Sequence, residues 1–227
     1  ASREAAAHYA AMLRQRQALS PEDVMDTLER HARQAHLWGD AHTAMTSMTE
    51  AAALRRRSGD MIGLGRVLTQ LTRIAWMCGR RAEAEKAVEE AITVLEAAPP
   101  GPELAWAYSH RSQLEMLAFK LDTAVEWGKR AIDLAERLAE QEVIIHALGN
   151  VGASDFNPSG PAAEELERSF DLAWKNNLHD HVERASCNMT CTAYWRRDYE
   201  HALAYIDRGA RYAAERDLIH WESYLRG

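Results

Sequence analysis

The chain repeats a helical pattern about every 40 residues, and this period constrains its fold more than any other feature. An alanine follows a short break in each unit and opens a helical stretch. The intervals are 40, 40, 39 and 39 residues, between Ala44, Ala84, Ala124, Ala163 and Ala202. Periods of about 20 to 50 residues are typical of arrays in which each unit buries its apolar face against its neighbours. Such arrays present extended surfaces, so the repeat favours recognition over catalysis.

Four further columns share this phase. An apolar residue stands twenty positions before each alanine: Val24, Leu64, Leu104, Val143 and Val182. The positions 3, 7 and 10 residues after the alanine trace one helical face. They hold Ser47, Ala87, Trp127, Leu166, Tyr205, Ala51, Ala91, Ala131, Phe170, Gly209, Leu54, Val94, Leu134, Ala173 and Tyr212. Each unit therefore has a first helix, a turn and a second helix led by alanine.

Breaks rich in glycine, proline or aspartate divide the chain into helices. Ser20 followed by Pro21 is a typical helix start. No segment alternates as a half-buried strand does. The pattern predicts an all-α fold, one helical-repeat domain over residues 1–227, with units at about 21–58, 60–98, 102–138, 140–176 and 178–216 and partial helices at both ends.

The helix–turn–helix unit led by alanine has the plan of a tetratricopeptide repeat, with a period of about 40 instead of about 34 residues. HEAT and armadillo arrays fit the period but lack this turn signature. The stretches 79–85, 104–110, 131–138, 146–152 and 196–199 resemble the repeat regions of LuxR-type large ATP-binding regulators and related STAND-type ATPases. That resemblance implies a tetratricopeptide-like α-α superhelix, a right-handed solenoid, acting as the sensor of a bacterial regulator.

Composition narrows the function classes. The net charge of −7 argues against direct nucleic-acid binding by this segment. No apolar run approaches the roughly 18 residues that a membrane helix needs. Three sparse cysteines fit a reducing cytoplasm. The basic run 55–57 is interpreted as a solvated helix end.

The repeat plan puts the first helices along a concave groove, so polar residues in the middle of these helices are the candidate binding residues. They are Gln70, Arg73, His110, Arg111, Gln113, His146, Asn150 and Asn188. Asparagine is a poor helix former, so a specific hydrogen bond is expected at Asn150 and Asn188. The alternative is that these two side chains bridge neighbouring helices.

Other motifs have structural interpretations. Gly63-Leu64-Gly65-Arg66 lacks the Lys-Ser/Thr of a phosphate loop and falls inside a helix pattern. Cys187 and Cys191, near His179 and His181, are expected to be buried small residues and not metal ligands. Most of the tryptophans are expected in the core, with Trp38, Trp76 and Trp195 sealing turns. The loop 154–160 interrupts the fourth unit and is interpreted as an irregularity, with a ligand lid as the alternative.

These observations predict a non-enzymatic module without cofactor, metal or catalytic residues. Its partner would be a protein or peptide segment, or a small-molecule inducer, in the concave groove. The alternatives are a stand-alone scaffold, and an enzyme if Arg111, His146 and Asn150 meet in one deep pocket. Both ends fall within the array, so a fragment of a longer protein is expected, with self-association through its uncapped ends.

Overall fold

A computed structural model describes residues 2–154, 162–216 and 218. These residues form eleven α-helices, a 3-10 turn at Arg16–Ala18 and no strand. The helices are α1 Ser2–Arg14, α2 Pro21–Leu37, α3 Ala41–Ser58, α4 Met61–Met77, α5 Arg81–Glu96, α6 Pro102–Leu117, α7 Leu121–Leu138, α8 Gln141–Ala153, α9 Ala162–Lys175, α10 His179–Trp195 and α11 Tyr199–Ala214. The all-α prediction is confirmed.

Short polar side chains start several of these helices. The Ser20 hydroxyl accepts from the Asp23 amide at 3.1 Å, with Pro21 as the first helical residue. Asp40 and Asp60 accept in the same way from amides three residues later, at 3.0 and 2.8 Å. These bonds satisfy amides that have no partner within their own helix, so each turn has a defined point of entry into the next helix.

Left-handed residues end several helices. Gly39, Gly59 and Gly79 have φ values of 93°, 78° and 71°, in the region that glycine enters without steric cost. Phe119 and Arg197 take the same place, five residues before the alanine of their units, with φ values of 58° and 60°. A side chain in this conformation costs about 1–2 kcal/mol. Two of the turns thus keep a strained residue where two others use glycine.

The chain divides into two compact units, residues 1–110 and 111–227. In the first unit each helix from α1 to α5 packs on the next one along the chain. In the second unit α7 to α11 do the same, and α8 also contacts α10. Because connected helices pack on each other across turns of a few residues, they form antiparallel pairs. The prediction of one continuous domain stays a prediction.

The repeat columns supply the core. The five residues of the column twenty positions before the alanine are all buried. Ala44, Ala84, Ala124 and Ala202 are buried as well, while the side chain of Ala163 lies outside the described residues. Most members of the other columns are buried; Leu54, Val94, Trp127 and Tyr205 are half-buried. The phase read from the sequence therefore marks the packed faces.

Close approach explains Gly65 of the Gly63-Leu64-Gly65 motif, which lies inside α4 as predicted. A Cβ atom on Gly65 would lie 2.3 Å from Cγ of Leu95 on α5. Gly128 on α7 has the same role, because its Cβ would lie 2.3 Å from Cγ2 of Val151 on α8. Helices approach this closely only where one of them lacks a side chain.

The predictions for four residues are wrong. Trp38, Trp76 and Trp195 do not seal the turns in the core, because their exposed fractions are 45%, 40% and 62%. Arg55 is not part of a solvated helix end: it is 1% exposed and paired with carboxylates of α2 and with Asp60, whereas Arg56 and Arg57 are exposed. Neither the hydrophobicity of a tryptophan nor a run of basic residues specifies whether a side chain near a helix end faces the core or the solvent.

Three other features complete the comparison with the sequence. Cys191 is exposed and Cys187 half-buried, so the expectation that both are buried is wrong for Cys191. In the loop 154–160, Ser154 caps the end of α8 and the remaining residues lie outside the described part. The predicted helix from 217 also lies outside it. Within the described residues, no helix has the length and apolar character that crossing a membrane requires.

Candidate partner-binding site

The first helices of the second unit are joined by a polar ladder. Arg184 of α10 donates to the His146 carbonyl oxygen of α8 at 3.2 Å and to the Asn150 side-chain oxygen. The Asn188 side-chain amide donates to the Gly149 carbonyl oxygen at 3.1 Å. Asn150 is fully buried and Asn188 half-buried. These two asparagines therefore bridge neighbouring helices, which was the alternative interpretation of their place in the sequence.

Beside the ladder, His181 contacts both a carboxylate and a second histidine ring. His181 Nε2 lies 3.0 Å from the Glu142 carboxylate, and the His181 ring meets the His146 ring edge to face, with centroids 5.9 Å apart. Burial lowers the pKa of His181, against the opposing effect of Glu142. His146 itself is 1% exposed. A predicted groove residue is thus enclosed between helices.

The predicted residues of α6 have local partners. His110 is buried, with Nδ1 placed to donate to the Trp106 carbonyl oxygen at 3.1 Å. Arg111 pairs with Glu115 at 2.6 Å, one turn along the same helix. Gln113 is half-buried. Because Arg111 already pairs with a buried carboxylate, its charge is largely compensated inside the helix.

The predicted residues of the first unit lie on a more open surface. Gln70 is half-buried and Arg73 is exposed on α4. Helical spacing puts Arg73 on one stripe with Ile62, Arg66 and Met77. Ile62 and Met77 expose 46% and 57% of their surface. Along this stripe of α4, the exposed apolar side chains of Ile62 and Met77 therefore flank the cations of Arg66 and Arg73.

The neighbouring first helix has a matching stripe. Arg30, Arg33 and Leu37 of α2 are all exposed and share a face. Arg66 of α4 reaches α2, where its Nε lies 3.2 Å from Glu29. We call the two stripes the basic surface; it consists of Arg30, Arg33, Leu37, Ile62, Arg66, Gln70, Arg73 and Met77.

The charge of the basic surface contrasts with that of the chain. Residues 30–39 and 61–80 contain Arg30, Arg33, Arg66, Arg73 and Arg80 but no Asp or Glu, in a chain of net charge −7. The pKa of His36 is lowered by burial and by the nearby Arg73, as expected beside positive charge. Single-residue reasoning found Arg73 and missed Arg30, Arg33 and Arg66. The signal that could have identified them is the acid-free composition of these two segments.

One carboxylate of the second unit is buried without compensation. Glu183 of α10 is 0% exposed, and neither of its oxygens has a hydrogen-bond partner among the described residues. Burial, with a smaller contribution from Asp180, raises the pKa of Glu183 to about 7. Nearby, burial raises the pKa of the Cys187 thiol to about 11. A thiol with that pKa stays protonated at neutral pH and is a poor nucleophile.

The enzymatic alternative depends on Arg111, His146 and Asn150 meeting in one deep pocket. His146 and Asn150 are enclosed between α8 and α10. Two shallow cavities of the second unit, of about 210 and 300 Å³, are lined by residues of α9 to α11 and the turn between α10 and α11, and not by these two. Throughout 2–154, 162–216 and 218, no three His, Cys, Asp or Glu side chains are grouped so as to hold a metal ion.

Comparison with known proteins supports the fold. No protein-family profile and no curated protein sequence matches the chain. Among solved structures, BtubC (BKLC) from P. vanneervenii is similar over 96% of this chain and 92% of its own, with a TM-score of 0.70 and 17% identity. A Rap protein complexed with Competence and Sporulation Factor has a TM-score of 0.79 and 15% identity, over 96% of this chain and 62% of its own.

A third similar structure is a Signal Transduction ATPase with Numerous Domains with a tetratricopeptide repeat sensor, from Pyrococcus horikoshii. Its TM-score is 0.60 at 12% identity, and the match covers 92% of this chain and 33% of that one. The chain thus spans about a third of this ATPase and less than two thirds of the Rap protein. At such identities the likeness concerns the fold alone. This chain has a tetratricopeptide-like helical-repeat fold, as the sequence predicted.

Proposed function

We propose that this chain is a non-enzymatic helical-repeat module that binds a protein or peptide segment on its first helices. The observation that carries the proposal is the basic surface of α2 and α4. Arginines and exposed apolar side chains share these two stripes, with no acidic residue in 30–39 or 61–80. A segment with acidic and apolar side chains complements both features, because arginine forms two-pronged hydrogen bonds with carboxylates.

Electrostatic attraction of a negatively charged segment would be confined to this surface. The chain as a whole carries a charge of −7, so a negatively charged segment is repelled except where cations are concentrated. Oppositely charged patches steer encounter and fix orientation more than they add affinity. Apolar contacts with Leu37, Ile62 and Met77, all exposed, would supply the remaining stability of the complex.

The regulatory context is part of the proposal. We infer a sensor region of a bacterial ATP-binding transcription regulator or signalling ATPase, acting in the cytoplasm. The similarity to an ATPase with a tetratricopeptide repeat sensor and to a Rap protein complexed with Competence and Sporulation Factor supports this. Binding would bias a switch in modules outside the chain. A stand-alone scaffold is the second candidate, favoured by the similarity to kinesin light chain tetratricopeptide-like repeats from Podosopora anserina.

Peptide binding to charge-reversed variants tests the function. Fluorescence anisotropy would follow a labelled twelve-residue peptide rich in glutamate and leucine, with a lysine- and leucine-rich peptide as its counterpart. We expect the acidic peptide to bind at least tenfold more tightly than the basic one. Arg33→Glu with Arg73→Glu should lower its affinity at least tenfold, because two cations become anions.

A matched reversal away from the basic surface is the control. Arg14 and Arg57 are exposed on α1 and α3, so Arg14→Glu with Arg57→Glu makes the same change in net charge. The control should alter the affinity less than threefold. Equal losses of affinity in both double variants would show that only the net charge of the chain matters, which would contradict a defined site. Turnover of any substrate by the wild-type chain would contradict the non-enzymatic assignment.

A further inference from the structure

Two first helices of the repeat present the same pair of side chains near their ends. Arg33 and Leu37 lie one turn apart near the end of α2, and Arg73 and Met77 lie one turn apart near the end of α4. Each member of one pair is 40 residues from its counterpart, which is the period of the repeat. All four side chains are exposed, with 58% of Leu37 and 57% of Met77 accessible to solvent. We call Arg33 with Leu37 the first pair and Arg73 with Met77 the second pair.

Backbone geometry makes the two pairs equivalent. Each helix is followed by a left-handed glycine, with φ values of 93° at Gly39 and 71° at Gly79. The amides of these glycines donate to the carbonyl oxygens three residues earlier, at 3.1 and 2.9 Å. Because α2 and α4 both pack antiparallel to α3, they point in the same direction. The two pairs therefore occupy corresponding positions on neighbouring helices.

The later repeats do not keep the arginine of this pair. The position of Arg33 and Arg73 holds Gln113, Gly152 and Cys191 in the third, fourth and fifth repeats. Packing of the repeat does not require an arginine there, because both arginines are exposed. The shared pair is thus a surface feature of two adjacent repeats and not a consequence of the fold.

The two arginines have no carboxylate partner within the protein. Among the described residues, neither Arg33 nor Arg73 forms an ion pair. The acidic residues of the adjoining turns are engaged elsewhere: Asp40 caps α3 at 3.0 Å from an amide, and Glu83 lies 3.1 Å from Arg80. The dipole of α3 partly compensates the charge of its cap. Each pair therefore offers one cation and one apolar side chain to a ligand.

The distance between the pairs sets the spacing of groups in a bound segment. The two helices are joined by Arg66 and Glu29, whose Nε and carboxylate oxygen lie 3.2 Å apart. Neighbouring packed helices lie about 8–10 Å apart. Three residues of a polyproline-II-type chain span about 9 Å and complete one turn, so residues i and i+3 face the same side. Within a pair, the two side chains start about 6 Å apart along the helix, a distance that two consecutive residues of a segment can cover.

We propose that the first pair and the second pair are equivalent subsites, each of which binds one acidic residue and the large apolar residue next to it. The occupant is an extended protein segment in which this acidic–apolar dipeptide recurs after three residues. Its carboxylates pair with the arginines, and its apolar side chains cover Leu37 and Met77. The inference rests on the proposed function of the basic surface and specifies the spacing that its partner must have.

Twelve-residue peptides test this spacing on the full chain by fluorescence anisotropy. One peptide has two Glu-Leu dipeptides that start three residues apart, and a second has the same composition with the dipeptides six residues apart. A third keeps one dipeptide and has Gln-Ser in place of the other. The three-residue spacing should bind at least fivefold more tightly than the six-residue spacing and at least tenfold more tightly than the single dipeptide, because it alone engages both subsites without a strained or looped linker.

Single substitutions test whether the subsites are equivalent. Arg33→Gln and Arg73→Gln should each weaken the peptide with three-residue spacing at least fivefold, and their effects should agree within about twofold. For the single dipeptide each substitution should cost only about twofold, because one of two equal subsites remains. Arg57→Gln, at an exposed position of α3, is the matched control and should leave both affinities unchanged. All three variants should keep Tm within about 2 °C of the wild type, since only exposed side chains change.

The possible failures are distinguishable. Equal affinity for the two spacings, or a loss in Arg33→Gln without a similar loss in Arg73→Gln, would overturn the paired subsites and leave the binding of acidic segments to the basic surface in place. Failure of every acidic peptide to bind would contradict the proposed function itself. Tighter binding of a single-stranded oligonucleotide than of any peptide, weakened by the same substitutions, would assign the arginines to a nucleic acid and overturn both.

Discussion

Single buried charges set the local stability of this chain, and Arg55 is the clearest of them. Its guanidinium contacts Glu22, Asp26, Glu29 and Asp60 at 2.5 to 2.9 Å, while its side chain is 2% exposed. It joins α2, α3 and the start of α4 in one ion-pair network. Removing one member of a buried network leaves its partner charged and desolvated, which costs more than the network contributes.

Arg55→Met should therefore destabilise the protein by about 2–4 kcal/mol, chiefly because Glu29 loses its main partner. Urea unfolding followed by circular dichroism measures the change. Arg56→Met is the matched control: Arg56 is exposed and pairs with Glu90 at the surface. Its cost should stay below about 1 kcal/mol. Equal costs for the two substitutions would refute a special role for Arg55.

Glu183 makes stability depend on pH. Burial raises its pKa from 4.5 to about 7 in the folded protein. The folded state therefore holds this proton more tightly than the unfolded chain does. The resulting stabilisation is complete below about pH 4.5 and is lost as the pH rises to about 7, above which the buried carboxylate is charged.

Glu183→Gln keeps the shape and removes this titration. We expect the variant to match the wild type near pH 5 and to be more stable by about 1–3 kcal/mol at pH 8. Urea unfolding at the two pH values gives the difference. Glu164→Gln, at an exposed position of α9, should show no such dependence. A wild type as stable as Glu183→Gln at pH 8 would show that Glu183 is solvated.

At the scale of helices, close approach decides which pairs can form. Gly65 lets α4 lie against α5, where the side chain of Leu95 is 3% exposed. Alanine is the better helix former by about 1 kcal/mol, but its methyl group would overlap Leu95. Packing and propensity thus oppose each other at this position.

Gly65→Ala should destabilise the protein by about 1–3 kcal/mol, because the overlap outweighs the gain in helix propensity. The double variant with Leu95→Ala should recover part of that loss, relative to Leu95→Ala alone. Thermal unfolding of the four proteins in the cycle gives the coupling. Strict additivity of the two substitutions would show that Leu95 does not limit the approach of α4 to α5.

The helices and their packed faces could be predicted from the sequence, because caps, breaks and apolar columns depend on residues a few positions apart. Ser20 and Asp60 mark helix starts, and the column from Val24 to Val182 is buried throughout. The candidate site was less readable. Whether Asn150 faces a groove or a neighbouring helix depends on Arg184, which lies 34 residues later. Trp195 is exposed because of a turn, which hydrophobicity does not describe.

At the scale of the molecule, charge is distributed unevenly, although the helical units resemble one another. Acid-free segments on α2 and α4 lie in a chain of net charge −7, and α5 carries Glu83, Glu85, Glu89, Glu90 and Glu96. The repeat specifies a scaffold, while the polar residues it presents differ from unit to unit. Recognition properties therefore depend on residues outside the repeating columns, as is usual for repeat arrays.

The polar ladder of α8 and α10 has a mechanical consequence. Its donors, Arg184 and Asn188, both reach backbone carbonyl oxygens, and Arg184 also reaches the Asn150 side chain. A sliding movement between these helices would break several bonds together, so the two helices are expected to move as one rigid element. The contact between α2 and α4 contains the Arg66–Glu29 ion pair, whose arginine is 40% exposed. Salt screens such a pair, so raised ionic strength should soften the α2–α4 contact while the α8–α10 contact stays stiff.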